Sequence, residues 1–174
     1  MLKKIFTNFI IISIILNIIL PTIIFAENND SVTYNSVIYQ VLDEDKKTAK
    51  VYGCSNKEIT QANIRESVII NGSSYTVTEI SALSFDSCTK LTNVSLPESI
   101  ISIKNFAFGH CEKLIQINIP ESTKSIENYA FSNCKKLNNI TLPDNLEVLG
   151  NSAFEYCESL ERIRIPSGIN EVKR

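Results

Sequence analysis

The sequence predicts a repeat solenoid in which each 23-residue copy contributes a short β-strand and a short helical turn, with a β-hairpin ahead of the array. Three observations carry that reading. Phe85, Phe108, Phe131 and Phe154 stand 23 residues apart, and each is followed three residues later by Cys88, Cys111, Cys134 or Cys157. Leu91, Leu114, Leu137 and Leu160 keep the same step, as do Pro97, Pro120, Pro143 and Pro166. Within a copy the apolar spacing switches from the period of a strand to that of a helix. A fixed period of this length decides the architecture by itself, because one copy cannot bury its apolar face alone whereas stacked copies can.

The elements follow in chain order. Met1 to Lys4 supplies two lysines, Ile5 to Phe25 is almost wholly apolar, and Pro21 precedes Ala26 and the polar Glu27-Asn28-Asn29-Asp30. This is the pattern of an export signal over residues 1–26, cleaved after Ala26. A stretch of about twenty apolar residues also suits an uncleaved anchor. Either outcome puts the remainder outside the cytoplasm, so a secreted or cell-surface location is expected, with no membrane span in the mature chain if the signal is removed. Residues 27–67 read as an N-terminal hairpin cap and linker: Val37 to Leu42 and Thr48 to Tyr52 flank the polar turn Asp43-Glu44-Asp45-Lys46-Lys47.

Residues 68–174 hold about four repeats, with the C-terminal end uncapped. In each copy Ile117 and Ile119, or their equivalents, lie two apart as a half-buried strand requires, and the proline that follows cannot extend a ladder. Ile100, Ile103, Leu146 and Leu149 mark a second short extended stretch facing the same core. Ala107, Cys111 and Leu114 stand at i, i+4 and i+7, one face of a helical turn, and Asn105, Asn128 and Asn151 sit where its N-cap would.

The unit Leu-x-x-Ile-x-Ile-Pro, continued by an apolar pair and Gly-x-x-Ala-Phe-x-x-Cys, is carried by Leu137, Pro143, Leu146, Leu149, Gly150, Ala153, Phe154 and Cys157. It resembles the BspA-like leucine-rich repeat, and the hairpin resembles that family's N-terminal cap. Departures are modest: Lys104 and Glu127 replace glycine, Thr123 interrupts an apolar column, and Ser84 stands in for alanine. The resemblance implies a leucine-rich repeat solenoid in a secreted or surface protein without catalysis. Its implied partners are extracellular or surface proteins, among them host matrix or plasma glycoproteins, bound in adhesion. A structural or assembly module, or a truncated solenoid, that self-associates or binds cell-wall components is the alternative.

Charge and chemistry-bearing residues narrow the classes further. Seventeen basic against nineteen acidic residues give a net charge of −2, or −4 once Lys3 and Lys4 are removed, so no nucleic acid is expected. His110, the one histidine, occupies a column shared with Ser87, Asn133 and Tyr156, which reads as a surface turn position. No triad, His-Cys dyad or phosphate loop is evident, and no cofactor or metal is expected. Glu98, Glu121 and Asp144 follow successive prolines and form a rim of carboxylates, read as solvated instead of calcium-bearing. Four of the five cysteines share one column, where equivalent thiols point the same way and cannot meet, so they are read as free and buried; Cys54 is left open as packed or paired.

The candidate binding surface is the outward side of the strands. Its two columns are Asn93, Gln116, Asn139 and Arg162, and Ser95, Asn118, Thr141 and Arg164. Amides, hydroxyls and an arginine pair can hydrogen-bond peptide or sugar groups without a large apolar patch. Four strands of about five residues offer a face of roughly 300 Å², against the roughly 800 Å² a stable partner covers. Weak or multivalent binding, help from loops, or self-association through the open C-terminal end at Ile165, Ile169 and Val172 follows.

Overall fold

The computed structural model describes residues 23–24 and 30–169; most of the export signal expected over residues 1–26, and Val172 near the C-terminus, lie outside the described residues. The strands are β1 (Ile23–Ile24), β2 (Ser31–Tyr34), β3 (Val37–Asp43), β4 (Thr48–Cys54), β5 (Gln61–Asn63), β6 (Ser67–Ile70), β7 (Ser73–Ile80), β8 (Asn93–Ser95), β9 (Ser102–Ile103), β10 (Gln116–Asn118), β11 (Ser125–Ile126), β12 (Asn139–Thr141) and β13 (Val148–Leu149). Among the described residues no helix is long and apolar enough to cross a membrane.

The repeats are strand-rich coils that feed two sheets. One sheet takes the strands that precede Pro97, Pro120 and Pro143, joined by β5, and runs β12-β10-β8-β5, all parallel, with Ile117 opposite both Val94 and Ile140. The other takes the strands after those prolines, joined by β7, and runs β7-β9-β11-β13 in parallel, with Ile103 between Ile80 and Ile126. Between the two strands of a coil the proline carbonyl accepts the amide three residues on, from Ile100, Thr123, Leu146 or Ile169, so the ring that cannot donate to a ladder starts the turn that ends it. β3 and β4 pair as an antiparallel hairpin, and β4 lies parallel to β7, which makes the hairpin continuous with the second sheet. Tyr39, Val51, Val77, Phe85 and the repeat columns form one buried core.

The third side of each coil departs from the expected helical turn. There is no helix among the described residues, and the six-residue runs are turns. Leu83, Phe106, Tyr129 and Ser152 hold positive φ at the second position of each run, and Ser87, His110, Asn133 and Tyr156 hold it at the sixth. A left-handed residue at both ends breaks the α-helical progression. Alternate amides are spent on the neighbouring coil instead: Leu83, Phe85 and Ser87 donate to the carbonyls of Asn105, Ala107 and Gly109 at 3.1, 2.8 and 2.9 Å. The asparagine column is likewise not an N-cap. Its side-chain oxygens accept amides from the next coil, as described below.

Stacking of equivalents fills the core. Phe85, Phe108, Phe131 and Phe154 form a ladder of near-parallel rings with centroids 5.2, 5.3 and 5.4 Å apart. The departures from the repeat pattern are each satisfied. The buried Thr123 hydroxyl donates to the Ile100 carbonyl at 3.0 Å, and the Ser84 hydroxyl donates to Val51 at 3.0 Å, tying the first coil to β4. Lys104 Nζ lies 2.8 Å from Glu127 and 3.6 Å from Glu79, so the two residues that replace glycine pair with each other across coils.

Candidate functional site

The strand face is built by alternation. In each three-residue strand the central residue is buried and its neighbours are exposed, as Val94, Ile117 and Ile140 are between their polar flanks. Parallel register then places Asn93 beside Gln116 and Gln116 beside Asn139, with Asn118 beside Thr141. Six of the eight predicted residues are thus brought together on one sheet, and all eight are exposed.

Arg162 and Arg164 are not part of that sheet. Residues 161–166 form no strand, and the last coil's bonding to its neighbour on this side ends with the Ser159 amide on the Lys135 carbonyl at 3.2 Å. Arg164 turns instead to Asp144, one coil back, at 2.8 Å with both side chains largely in solvent. That contact takes the third carboxylate of the rim, leaving Glu98 and Glu121 as its other members. Among the described residues no group of three or more acidic, histidine or cysteine side chains is placed to hold a metal ion.

The sheet gains a rung at the opposite end. β5 pairs in parallel with β8, setting Gln61 opposite Asn93 and Asn63 opposite Ser95. These two residues extend the polar columns and escape a search by period, because the step from Gln61 to Asn93 is 32 residues instead of 23. The signal that was there is the triplet itself: Gln61-Ala62-Asn63 has the same polar-apolar-polar form as Gln116-Ile117-Asn118.

A groove of about 440 Å³ lies on this face, walled by Asn93, Ser95, Gln116 and Asn118 and closed at the proline side by Glu98 and Glu121. Its chemistry is that of a polar cradle: amide donors and acceptors from two neighbouring rungs, with two carboxylates at one end. His110 lies away from it on the turn side, with Nδ1 3.0 Å from Asp86 Oδ1 and its ring about half exposed. The repeat-column thiols are buried and free, and each of Cys111, Cys134 and Cys157 donates to a phenylalanine carbonyl one coil back at 3.2 Å. Burial pushes the Cys111 thiol up to about 12 and Cys157 to about 11, which keeps both protonated.

Known proteins agree with this architecture. A leucine-rich repeat protein from Bacteroides ovatus superposes with a TM-score of 0.68 at 30% identity, over 79% of this chain and 42% of that one, so the chain spans less than half of that relative's length. A leucine-rich repeat protein from Bacteroides capillosus gives a TM-score of 0.68 at 28% identity, over 77% of this chain and 96% of that one. A leucine rich cell surface protein from Faecalibacterium prausnitzii shares the fold, with a TM-score of 0.63 at 21% identity over 82% of this chain and 44% of that one. No curated protein matches the chain. Residues 61–174, beginning at the first residue of β5, match the BspA type leucine rich repeat region in six copies, and the chain belongs to that family.

Proposed function

We propose that the chain is an exported, non-enzymatic binding protein that engages extracellular protein partners through its strand face, in adhesion to host matrix or plasma glycoproteins or to neighbouring cells. The observation that supports this reading is the in-register run of exposed polar residues from Gln61 and Asn63 to Asn139 and Thr141, grooved at β8 and β10. The surface location printed for the Faecalibacterium relative is consistent with it. Four rungs about 4.8 Å apart, each about 10 Å long, offer on the order of 150 Å², well under the roughly 800 Å² that a stable partner covers. Binding is therefore weak or multivalent, or recruits the proline-side carboxylates and flanking loops. The test is interferometry of the purified protein against a panel of matrix and plasma glycoproteins and against itself. Saturable binding to one glycoprotein supports the reading, and binding to none removes it.

The second reading, an assembly module, draws on the far end of the array. Among the described residues the buried Asn151 Oδ1 has no hydrogen-bond partner, whereas Asn105 and Asn128 each hold the amide of the next coil. The next residue on the 23-residue step, Arg174, lies outside the described residues. Concentration-dependent growth of the scattering mass at micromolar protein supports this reading, and a strictly monomeric protein removes it.

A further inference from the structure

The cysteine column has a beginning that differs from the rest of it. Cys111, Cys134 and Cys157 each find a phenylalanine carbonyl one coil earlier, but no repeat coil precedes Cys88. In its place runs the end of β4 and the loop after it. That loop is held along the first turn on both sides of Cys54. The Ser84 hydroxyl donates to Val51, a Cβ on Gly53 would stand 3.9 Å from the Ser84 carbonyl, and Lys57 Nζ donates to the Asp86 carbonyl at 2.8 Å. Between these contacts Cys54 stands beside Cys88, each thiol shifting the other's titration, while the Cys54 thiol itself donates to the Asn56 carbonyl at 2.9 Å. The fifth cysteine is thus the rung that the column lacks, contributed by the hairpin.

We propose that Cys54 and Cys88 are a cross-linking pair, oxidised to a disulfide that fastens the N-terminal hairpin to the first repeat coil. The oxidant is a disulfide RS–SR, small or protein-borne. The Cys54 thiolate attacks one of its sulfurs, forming a Cys54–SR mixed disulfide and releasing RS⁻. Cys88 then gives up its proton and attacks the Cys54 sulfur, expelling the second RS⁻. The two protein thiols lose two electrons and two protons, and the oxidant leaves as two RSH.

The order of attack follows from the surroundings. Cys54 is half-buried and can be reached, and its thiol is held below the usual value first by the Cys88 thiol beside it. Cys88 is buried and its thiol is raised, first by the Cys54 thiol and then by burial. Capping Cys54 removes the first cause and frees Cys88 to resolve the intermediate. Cys111 and Cys134 are raised by burial, and with Cys157 they are engaged to carbonyls along one column, where neighbouring thiols do not aim at each other.

The test uses the full chain, reduced, exposed to oxidised glutathione, alkylated and mapped by mass spectrometry. The expected result is a linked Cys54–Cys88 peptide with alkyl groups on the other three cysteines. The thermal midpoint rises on the order of 10 °C, as a bridge closing a loop of this size predicts, and reductant reverses the rise. A Cys88→Ser variant stops with glutathione on Cys54, which reports the first step whatever that variant's stability. Alkylation of all five cysteines, a lasting glutathione adduct on Cys54 in the unaltered chain, or a bridge from Cys54 to any other cysteine overturns the proposal.

Discussion

Asn105 holds Asn128 across the step between two coils: its side-chain Oδ1 accepts the Asn128 amide at 3.0 Å. Asn128 does the same for Asn151 at 2.7 Å. The ladder satisfies amides that the six-residue turn runs leave without a local partner. Asn128→Ala is expected to cost about 1–2 kcal/mol, the penalty for stranding a half-buried donor, and to lower the thermal midpoint by about 2–8 °C. Asn128→Asp keeps the acceptor and should lose less. Equal losses in calorimetry would remove the ladder from the account of stability.

The same junction explains Gly150. A Cβ there would lie 2.4 Å from the Asn128 nitrogen and 2.8 Å from its Oδ1, both closer than atoms approach. Gly150→Ala must push the last turn off its neighbour and is expected to cost at least about 2 kcal/mol. Gly168→Ala is the control, since its Cβ would meet the Leu146 carbonyl at an ordinary 3.5 Å. Urea denaturation of the two variants should separate them clearly.

Phe108 is fully buried between Phe85 and Phe131, with near-parallel rings on both sides. Removing it leaves a cavity in the middle of the column and strips two ring contacts at once. Phe108→Ala is expected to cost about 3–5 kcal/mol. Phe108→Leu, which refills most of the volume, should recover a large part of that in the same denaturation series.

How much of this was legible in the sequence divides by kind of interaction. The phenylalanine, leucine and proline columns were legible because each coil puts one such residue on its own equivalent, so spatial stacking is written as sequence period. The turn side was misread because Ala107, Cys111 and Leu114 reproduce helical spacing while the left-handed residues that break the helix, Phe106 and His110, carry no glycine to announce them. The asparagine column was recognised as an acceptor, but its donor lies 23 residues on, where local capping logic does not look. On the candidate face, β5 was hidden by its irregular step. The Arg162 and Arg164 rung was counted in because its apolar partner Ile163 keeps the column even where the strand pairing stops.

Lys104 gives a pH-dependent signature. Its ammonium is raised above the ordinary lysine range, first by the hydrogen bond to Glu127 at 2.8 Å and with help from Glu79. A folded pKa above the unfolded value near about 10.4 means that the stabilisation is present in full below that pH and fades as pH climbs through the folded value. Lys104→Met is therefore expected to cost about 0.5–1 kcal/mol at neutral pH. The gap from the unaltered chain should begin to narrow as pH rises past about 10.4. Urea midpoints measured at pH 7, 9 and 11 test this, and a gap that widens with pH would reverse the sign of the argument.

The groove and the last coil make opposite demands on mutants of the strand face. Ser95 and Asn118 are neighbours on the wall of the groove, and both side chains are exposed. Ser95→Arg with Asn118→Arg therefore fills the groove while leaving the buried Val94 and Ile117 untouched. On the proposed reading, this pair weakens the Kd for a bound glycoprotein at least tenfold, equivalent to about 1.4 kcal/mol. Arg162→Glu with Arg164→Glu acts beyond the end of the sheet, where one arginine is already engaged by Asp144. Its expected effect is under about threefold, chiefly on the association rate and its salt dependence, as for charges outside a contact. The reverse pattern, a large loss from the arginine pair and none from the groove pair, would shift the contact to the last coil and make the polar columns of β8 and β10 a solvated surface.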